Sequence, residues 1–177
     1  MGGRMSLIVE DGTGMATAES YISVADADTY HSNLGNATWA TLTTTVKEQL
    51  LRKATNYMVQ VYRLDWAGIR KNDTQSLDFP RYLVPKYDNG AMYSYYDENS
   101  VPKEVKDACC EFALKANSAT LAPDLDRLTK REKLGVLEVE YDTTKGLPYV
   151  QYRAMDNLLF PLMKPTTFSP STPLARV

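Results

Sequence analysis

Apolar positions recur every three to four residues in three segments of the chain, and this spacing predicts amphipathic helices. The first segment follows Ser23, which with Asp26 resembles a capping box, and it ends at Gly35. The second opens at Thr45, and the third near Pro102, because proline is tolerated in a first helical turn. The predicted stripes are Val24, Ala27, Tyr30 or His31, and Leu34; Val46, Leu50, Ala54, Tyr57 and Val61, with Leu51 and Met58 beside them; and Val101, Val105, Ala108, Phe112 and Ala116, widened by Cys109 and Ala113. Three such stripes must be buried against one another, so the pattern predicts a small helical bundle.

Other segments have a different pattern. Alternating apolar and polar residues across 134–141 predict a β-strand, and a short helix is expected over roughly 149–160. Asp88-Asn89-Gly90 predicts a tight turn, because a type I′ turn needs positive φ at both central positions, and hence a loop or hairpin at about 82–99. The predicted fold class is mainly α: a small helical bundle with a minor β-hairpin or strand element and an extended C-terminal arm.

The chain is expected to divide into a flexible leader at residues 1–5, a helical domain at 6–160 and the arm at 161–177. The arm is polar and rich in proline, and it cannot bury enough apolar surface to order itself. It is therefore expected to fold, if at all, on a partner. Its candidate interface residues are Pro165, Phe168 and Pro170.

The predicted hairpin is rich in tyrosine, whose ring supplies contact area at low entropic cost together with a polar tip. Loops of this length are uncommon unless they are functional. Two interpretations stay open: the rings form a protein interface, or they roof the protein's own core. The tyrosines concerned are Tyr87, Tyr93, Tyr95 and Tyr96.

The 177-residue chain is 44% hydrophobic and 24% charged, which is typical of one globular domain with a real core. Its formal net charge of −2 argues against a protein built to coat nucleic acid. No apolar run approaches the roughly 20 residues of a membrane span, and the N-terminus lacks the apolar stretch of a signal peptide. We therefore expect a protein made in a reducing cytoplasm, without a membrane partner.

Candidate chemistry is sparse. Asp11-Gly12-Thr13-Gly14 follows an apolar run, but the lysine of a P-loop and the third glycine of a dinucleotide fingerprint are missing, so these residues are interpreted as a turn. Cys109 and Cys110 point about 100° apart on a helix, which suits packed, reduced thiols better than a metal site. His31 has no matching nucleophile motif, and a surface or half-buried structural role is expected. We expect no catalytic residue, metal or cofactor, and no enzymatic activity.

One basic run stands out. It could contact phosphates, but acidic neighbours dilute it, and a solvated face is the better interpretation. Its interface candidates are Arg127, Lys130 and Arg131.

Several blocks, in one order over roughly residues 6–160, resemble a tailed-phage family. Members of this family are often labelled DnaT-like single-stranded-DNA-binding proteins, and they are similar to head–tail connector, or adaptor, proteins. The blocks that carry the resemblance are LIVEDGTG, AESYISVADADTYH, KEQLLRKATNYM, QSLDFPR, VPKEVKDACCEFAL and REKLGVLEVEYD.

The resemblance implies a mostly helical subunit that assembles with copies of itself into a ring, a dodecamer in that family. Such a ring is made in the host cytoplasm and ends at the head–tail interface of the virion. It binds the portal protein on one side and a tail or nozzle protein on the other. DNA passes through its channel without sequence-specific contact.

Two rival functions remain. Single-stranded-DNA binding needs a basic groove with aromatic platforms, and a small hydrolase, which lacks any assembled motif, comes last. The residues that offer a nucleic-acid patch are Arg63, Trp66, Arg70, Lys71, Phe79 and Arg81.

Overall fold

The computed structural model of the chain describes residues 6–86, 94–124, 131–134, 137–140 and 150–164. Its helices are α1 (Val24–Asn33), α2 (Ala37–Ala40), α3 (Thr44–Tyr62), α4 (Lys103–Ser118) and α5 (Arg153–Leu159), the last continued by a 3-10 turn at Phe160–Leu162. Its strands are β1 (Ile69–Arg70), β2 (Arg81–Tyr82), β3 (Arg131–Leu134) and β4 (Leu137–Glu140), in two antiparallel pairs. The predicted helical bundle with a minor β element is confirmed, and residues 165–177 of the predicted arm lie outside the described residues.

Local signals place the helix ends. The Ser23 hydroxyl accepts a hydrogen bond from the Asp26 amide at 3.1 Å, and Gly35 follows α1 with a φ of 70°, so both predicted ends of this helix are confirmed. The prediction that α3 opens at Thr45 is wrong. Its cap is Thr43, whose hydroxyl accepts from the Val46 amide, because this side chain lies where the first free amides of the helix point.

The bundle is centred on α3 and α4, which pack along each other; α1 lies against both helices, and α5 lies against α4. A chain of aromatic rings fills the centre. Tyr57 and Phe112 have ring centroids 5.0 Å apart, and Tyr62 lies 5.7 Å from Trp66, which in turn lies 5.1 Å from Phe79. These tilted and edge-to-face contacts are the arrangements that aromatic quadrupoles favour.

The buried face of α3 differs from its predicted stripe. Val61, predicted to be in the core, is exposed, and the buried positions instead include Lys47 and Tyr62. Lys47 can be buried because its ammonium group lies 2.8 Å from the Asp28 carboxylate and over the Trp39 ring. An apolar pattern treats every lysine as exposed and so misses Lys47, whereas Leu50 and Ala54 in the middle of the stripe are buried as predicted.

The segment after α3 forms a narrow ribbon with two others. Ile69 of β1 pairs with Tyr82 of β2, while the Ala67 amide donates to the Leu162 carbonyl at 2.9 Å and Trp66 bridges to Met163. Pro161, predicted to begin the arm, lies in the turn beside this ribbon, and the two residues after it are buried in the core. Pairing with the ribbon thus extends the domain three residues beyond the predicted boundary.

Two more predictions need adjustment. The strand predicted at 134–141 runs from Leu137 to Glu140 and pairs with β3, where the sequence shows only a basic run. The short helix predicted at 149–160 begins at Arg153, after a buried Tyr152 whose hydroxyl donates to the Leu121 carbonyl. The second difference arises from a contact between distant segments, residues 152 and 121, which a local pattern does not contain.

Candidate functional site

The glycine loop near the N-terminus encloses a carboxylate of its own chain. Glu10 is buried, and its Oε1 accepts from the amides of Gly12 and Gly14 at 3.0 and 2.8 Å. Its Oε2 accepts from the Met15 amide at 2.9 Å. The amides that would face a bound phosphate are therefore satisfied by Glu10, and the predicted turn is confirmed.

This loop is fixed to two others, and we call the three segments the loop junction: Glu10–Met15, Lys71–Gln75 and Asn99. The Lys71 ammonium donates to the Gly12 carbonyl at 3.0 Å and to the Asn99 side chain at 2.7 Å. The side-chain amide nitrogen of Asn72 donates to the Thr13 carbonyl at 2.8 Å. Three loops distant in sequence thus share one hydrogen-bonded frame.

The two aromatic residues of the predicted nucleic-acid patch are core residues. Trp66 and Phe79 are buried, and their rings pack edge to face against each other. The indole nitrogen of Trp66 donates to the buried Asp78 carboxylate at 3.2 Å. A base cannot stack on a ring whose faces are covered, so the prediction that these rings form platforms is wrong.

The cations of the same patch are held by the protein itself. The Arg63 guanidinium lies 2.9 Å from Asp78, and Arg81 donates from Nε to the Ala67 carbonyl at 2.8 Å. Burial lowers the pKa of Arg81, while Asp78 opposes that shift. Arg70 donates to the Gln75 carbonyl, and Lys71 belongs to the loop junction. These side chains organise the turn after β1 and cannot also follow a phosphate backbone.

The base of the predicted tyrosine hairpin is present. The Lys86 amide donates to the Ser94 carbonyl at 2.8 Å, and Pro85 bridges to Tyr95. Tyr96 packs on the core and its hydroxyl donates to Glu104 at 3.2 Å, whereas Tyr95 is 45% exposed. Each of the two interpretations therefore fits one tyrosine. Tyr96 covers the protein's own core, and the exposed Tyr95 is available to a partner.

The other interface candidates are placed only in part. Arg131 pairs with Glu140 in the β3–β4 hairpin, of which the backbone alone is described. The remaining candidates lie outside the described residues: Tyr87, Tyr93, Arg127, Lys130, Pro165, Phe168 and Pro170.

Sequence reasoning missed an exposed apolar surface on the ribbon. Leu64 is 80% exposed, Ile69 63% and Leu83 59%, and we call these three residues the ribbon patch. Leu64 follows α3, Ile69 is in β1, which pairs with β2, and Leu83 follows β2. Leu64 and Ile69 have no apolar side chain directly beside them in the sequence, and Leu83 lies between Tyr82 and the buried Val84, so no periodic signal identifies the three as exposed. Large apolar side chains that remain exposed are candidates for protein interaction.

Both cysteines are buried, and burial raises the pKa of Cys109 to about 11 and that of Cys110 further. The thiols are thus protonated at neutral pH, as expected for packed thiols. Among the described residues, no cluster of three or more His, Cys, Asp or Glu side chains is close enough to hold a metal ion. The described helices include none with the length and apolar character to span a bilayer.

His31 is buried, which corrects the expectation of a surface or half-buried residue. Its Nδ1 lies 3.0 Å from the side-chain amide nitrogen of Asn36, and its ring centroid lies 4.4 Å from that of Trp39. Burial lowers the pKa of His31, opposed chiefly by Glu111. A pocket of about 500 Å³ lies beside this residue, lined also by Asp28 and Lys47, whose charges pair with each other.

Comparison with known proteins identifies the family. A family profile described as "Putative DnaT-like ssDNA binding protein" matches residues 5–177, almost the whole chain, so the chain belongs to this family. Its description corresponds to the single-stranded-DNA hypothesis and says nothing about a virion. Searches of curated proteins and of solved structures returned no match.

Proposed function

We propose that this member of the family is a virion structural protein, a head–tail adaptor that forms a ring beneath the portal and joins the capsid to the tail. The ring has twelve copies if it follows the adaptors that the sequence resembles. In this role the chain acts by assembly and catalyses no reaction. Its partners are copies of itself, the portal protein and a tail or nozzle protein.

The observation that carries the proposal is the ribbon patch. Leu64, Ile69 and Leu83 expose large apolar side chains, and the pairing of β1 with β2 fixes the backbone at Ile69 and directly before Leu83. Exposure of apolar area costs free energy in water, and burial against a partner recovers roughly 25 cal/mol per Å². An assembly subunit needs such a prebuilt surface.

The hydrogen bonds of the loop junction are consistent with a structural role. The loop junction joins segments from three regions of the chain, so the connection between α3 and α4 is fixed at both ends. A ring made by head-to-tail packing needs two different complementary faces with a constant angle between them. Rigid connections keep that angle the same in every copy.

Charge is consistent with a channel. The formal net charge is −2, and four of the cations suggested for DNA contact bond to groups within the chain. Each phosphate contact would strengthen binding and hold the duplex in place. A weakly acidic subunit lets DNA pass.

Electron microscopy of the protein mixed with the purified portal of the same virus tests the proposal. We expect an added ring on the portal with the wild-type chain and a markedly reduced ring with Leu64→Asp, which places a charge on the ribbon patch. Leu34→Asp is the matched control. Leu34 is a 57% exposed leucine after α1, whereas Leu64 follows the C-terminal end of α3. Bare portals with the wild-type protein would contradict the proposal.

Single-stranded-DNA binding is the second candidate, and the family description favours it. The nucleic-acid patch predicted from the sequence does not support DNA binding, but the base of the tyrosine hairpin offers another cation and another ring. The Lys86 ammonium lies 5.0 Å from the ring centroid of the half-buried Tyr96, and the exposed Tyr95 precedes Tyr96 in the chain. A cation together with aromatic rings is the combination that such sites use.

Fluorescence anisotropy with a labelled oligonucleotide at two salt concentrations separates the candidates. Tight binding with a steep salt dependence, weakened in Tyr95→Ala and Lys86→Ala, would support the second candidate. Negligible binding at physiological salt is expected for an adaptor. Leu34→Ala serves as the control, because it changes an exposed side chain away from the hairpin.

A further inference from the structure

The pocket of about 500 Å³ beside His31 lies between α1, α2 and the first turn of α3. Its volume is in the range of pockets that hold small molecules. A Cβ atom added at Gly35 would meet nothing within 4 Å, so this part of the pocket is open. Part of the wall carries small side chains or none: Ser32, Gly35, Ala37 and Ala40. Neither the adaptor role nor DNA binding uses this pocket.

The polar wall of the pocket is an ion pair with unused hydrogen-bonding capacity. Oδ1 of Asp28 accepts from the Trp39 indole nitrogen at 2.7 Å and lies 2.8 Å from the Lys47 ammonium. In the part of the chain that the structure describes, no hydrogen bond or ion pair engages Oδ2 of Asp28. The ammonium has three N–H donors, and Asp28 is its one acceptor among the described residues. An open acceptor and spare donors therefore lie side by side.

Burial makes the spare donors of Lys47 the stronger attraction for a ligand. The Lys47 side chain is 10% exposed, whereas that of Asp28 is 45% exposed. Bulk water therefore reaches the carboxylate more easily than the ammonium. A buried donor without an acceptor costs free energy, and a ligand that brings an acceptor into the pocket removes this cost.

The charges at this wall balance. Asp28 and Lys47 neutralise each other, and burial lowers the pKa of His31, so its ring is uncharged at pH 7. One member of the ion pair repels a lone anion, and the other repels a lone cation. A neutral group with an acceptor beside a donor avoids both repulsions. A carboxamide is such a group, because its carbonyl oxygen accepts and its NH2 group donates.

We propose that this pocket binds a small neutral molecule that carries a carboxamide group. The carbonyl oxygen of the ligand accepts from the Lys47 ammonium, and its NH2 group donates to Oδ2 of Asp28. The rest of the molecule lies against the small side chains of the wall. This inference is independent of the adaptor role, because it uses no residue of the ribbon patch.

An NMR titration of the full-length protein tests the inference with three probes that share one ring: benzamide, benzoate and benzylammonium. The polar groups of the three probes are neutral, negative and positive. The readout is the indole N–H resonance of Trp39, since this group bonds to Asp28. The indole N–H of Trp66, which donates to Asp78 in the core, is the internal reference. We expect benzamide to shift the Trp39 resonance saturably, with a dissociation constant on the order of tenfold lower than those of the charged probes.

Two pairs of variants locate the binding site. Lys47→Met removes the ammonium group and keeps a long apolar side chain, and Lys53→Met changes an exposed lysine of the same helix. We expect the affinity for benzamide to fall on the order of tenfold in Lys47→Met and to stay unchanged in Lys53→Met. Ser32→Phe and Asn33→Phe both change exposed residues of α1, but Ser32 lines the pocket and Asn33 does not. Ser32→Phe should fill the pocket and abolish binding, and Asn33→Phe should bind like the wild type.

Three results would overturn the inference: no saturable shift at Trp39, equal affinities for the three probes, or benzamide binding that is unchanged in Lys47→Met or in Ser32→Phe. If Lys47→Met does not fold, the Ser32→Phe and Asn33→Phe pair decides, because both variants keep Asp28 and Lys47.

Discussion

The loop junction and the ribbon patch both include residues of the connection between α3 and α4, but the side chains of the two regions are placed in opposite ways. The loop junction is polar in sequence and looks accessible, yet its carboxylate, amides and ammonium group bond to one another. The ribbon patch contains apolar residues typical of a core, yet these are more than half exposed.

This contrast shows where binding potential lies. A polar group whose partners are internal has little left to offer a ligand, because exchanging one hydrogen bond for another gains little. An exposed apolar group still has its transfer free energy to gain. The function of this chain is therefore better sought on the ribbon patch than at the glycine loop.

The largest effect is expected from Glu10→Ala, which removes the carboxylate at the centre of the loop junction. Three backbone amides lose their acceptor, and the free energy of unfolding should fall by about 4 kcal/mol. Urea denaturation measures the change. Glu98→Ala is the control, because Glu98 is an exposed glutamate in the same half of the fold. Equal, small losses in both variants would mean that the amides find water instead, and that the loop is open.

Gly12→Ala tests how closely the three loops fit. A Cβ atom at Gly12 would lie 1.9 Å from the Asn99 carbonyl oxygen, at a φ of 100°. We expect a loss of about 3 kcal/mol, combining left-handed strain with displacement of the Asn99 loop.

Gly35→Ala is the matched control for this change. Gly35 has a φ of 70°, but nothing lies within 4 Å of its added Cβ. Strain alone should cost about 1 kcal/mol there. If thermal unfolding gives the same loss for both variants, the loops are not in contact in solution.

His31 extends the comparison to a buried group that can titrate. Burial lowers its pKa below the value of 6.5 that it has in the unfolded chain, against the opposing charges of Glu111 and Asp28 and with the aid of Lys47. The folded state then binds the proton less well than the unfolded state, so stability is complete above pH 6.5 and declines as the pH falls from there towards the folded pKa.

Urea denaturation between pH 7.5 and 5 measures this effect in wild type and in His31→Gln. The variant should lose less stability over that range, since glutamine keeps a polar group near Asn36 but does not titrate. Parallel curves would show that His31 is protonated as easily in the folded chain as in the unfolded one.

The sequence alone predicts those parts of the fold that local signals determine. The Ser23 cap, the glycine after α1 and the Pro102 start of α4 are each explained by hydrogen bonds or backbone angles within a few residues. The pairing of Ala67 with Leu162 joins distant segments, and no local signal encodes it.

The candidate site was less predictable, for a related reason. From the sequence, Trp66 and Phe79 resemble stacking platforms. The structure buries both rings in the core, and the sequence does not show which side chains surround a ring. Lys47 is the converse case, as a cation buried by a partner nineteen residues earlier in the chain. Exposure is a property of tertiary packing, so the ribbon patch could not be found from residue type.

The smallest effect on stability is expected from Leu64→Ser, although it alters a large apolar residue. Leu64 is 80% exposed, so the free energy of unfolding should change by less than about 0.5 kcal/mol. Leu51→Ala, in the buried face of α3, should by contrast cost about 3 kcal/mol through its transfer and cavity terms. Both are measured by urea denaturation at low protein concentration, so that association does not add to stability. A large loss in Leu64→Ser would mean that Leu64 is covered within a single chain. The contrast between the two regions would then disappear, because the ribbon patch would be part of the core.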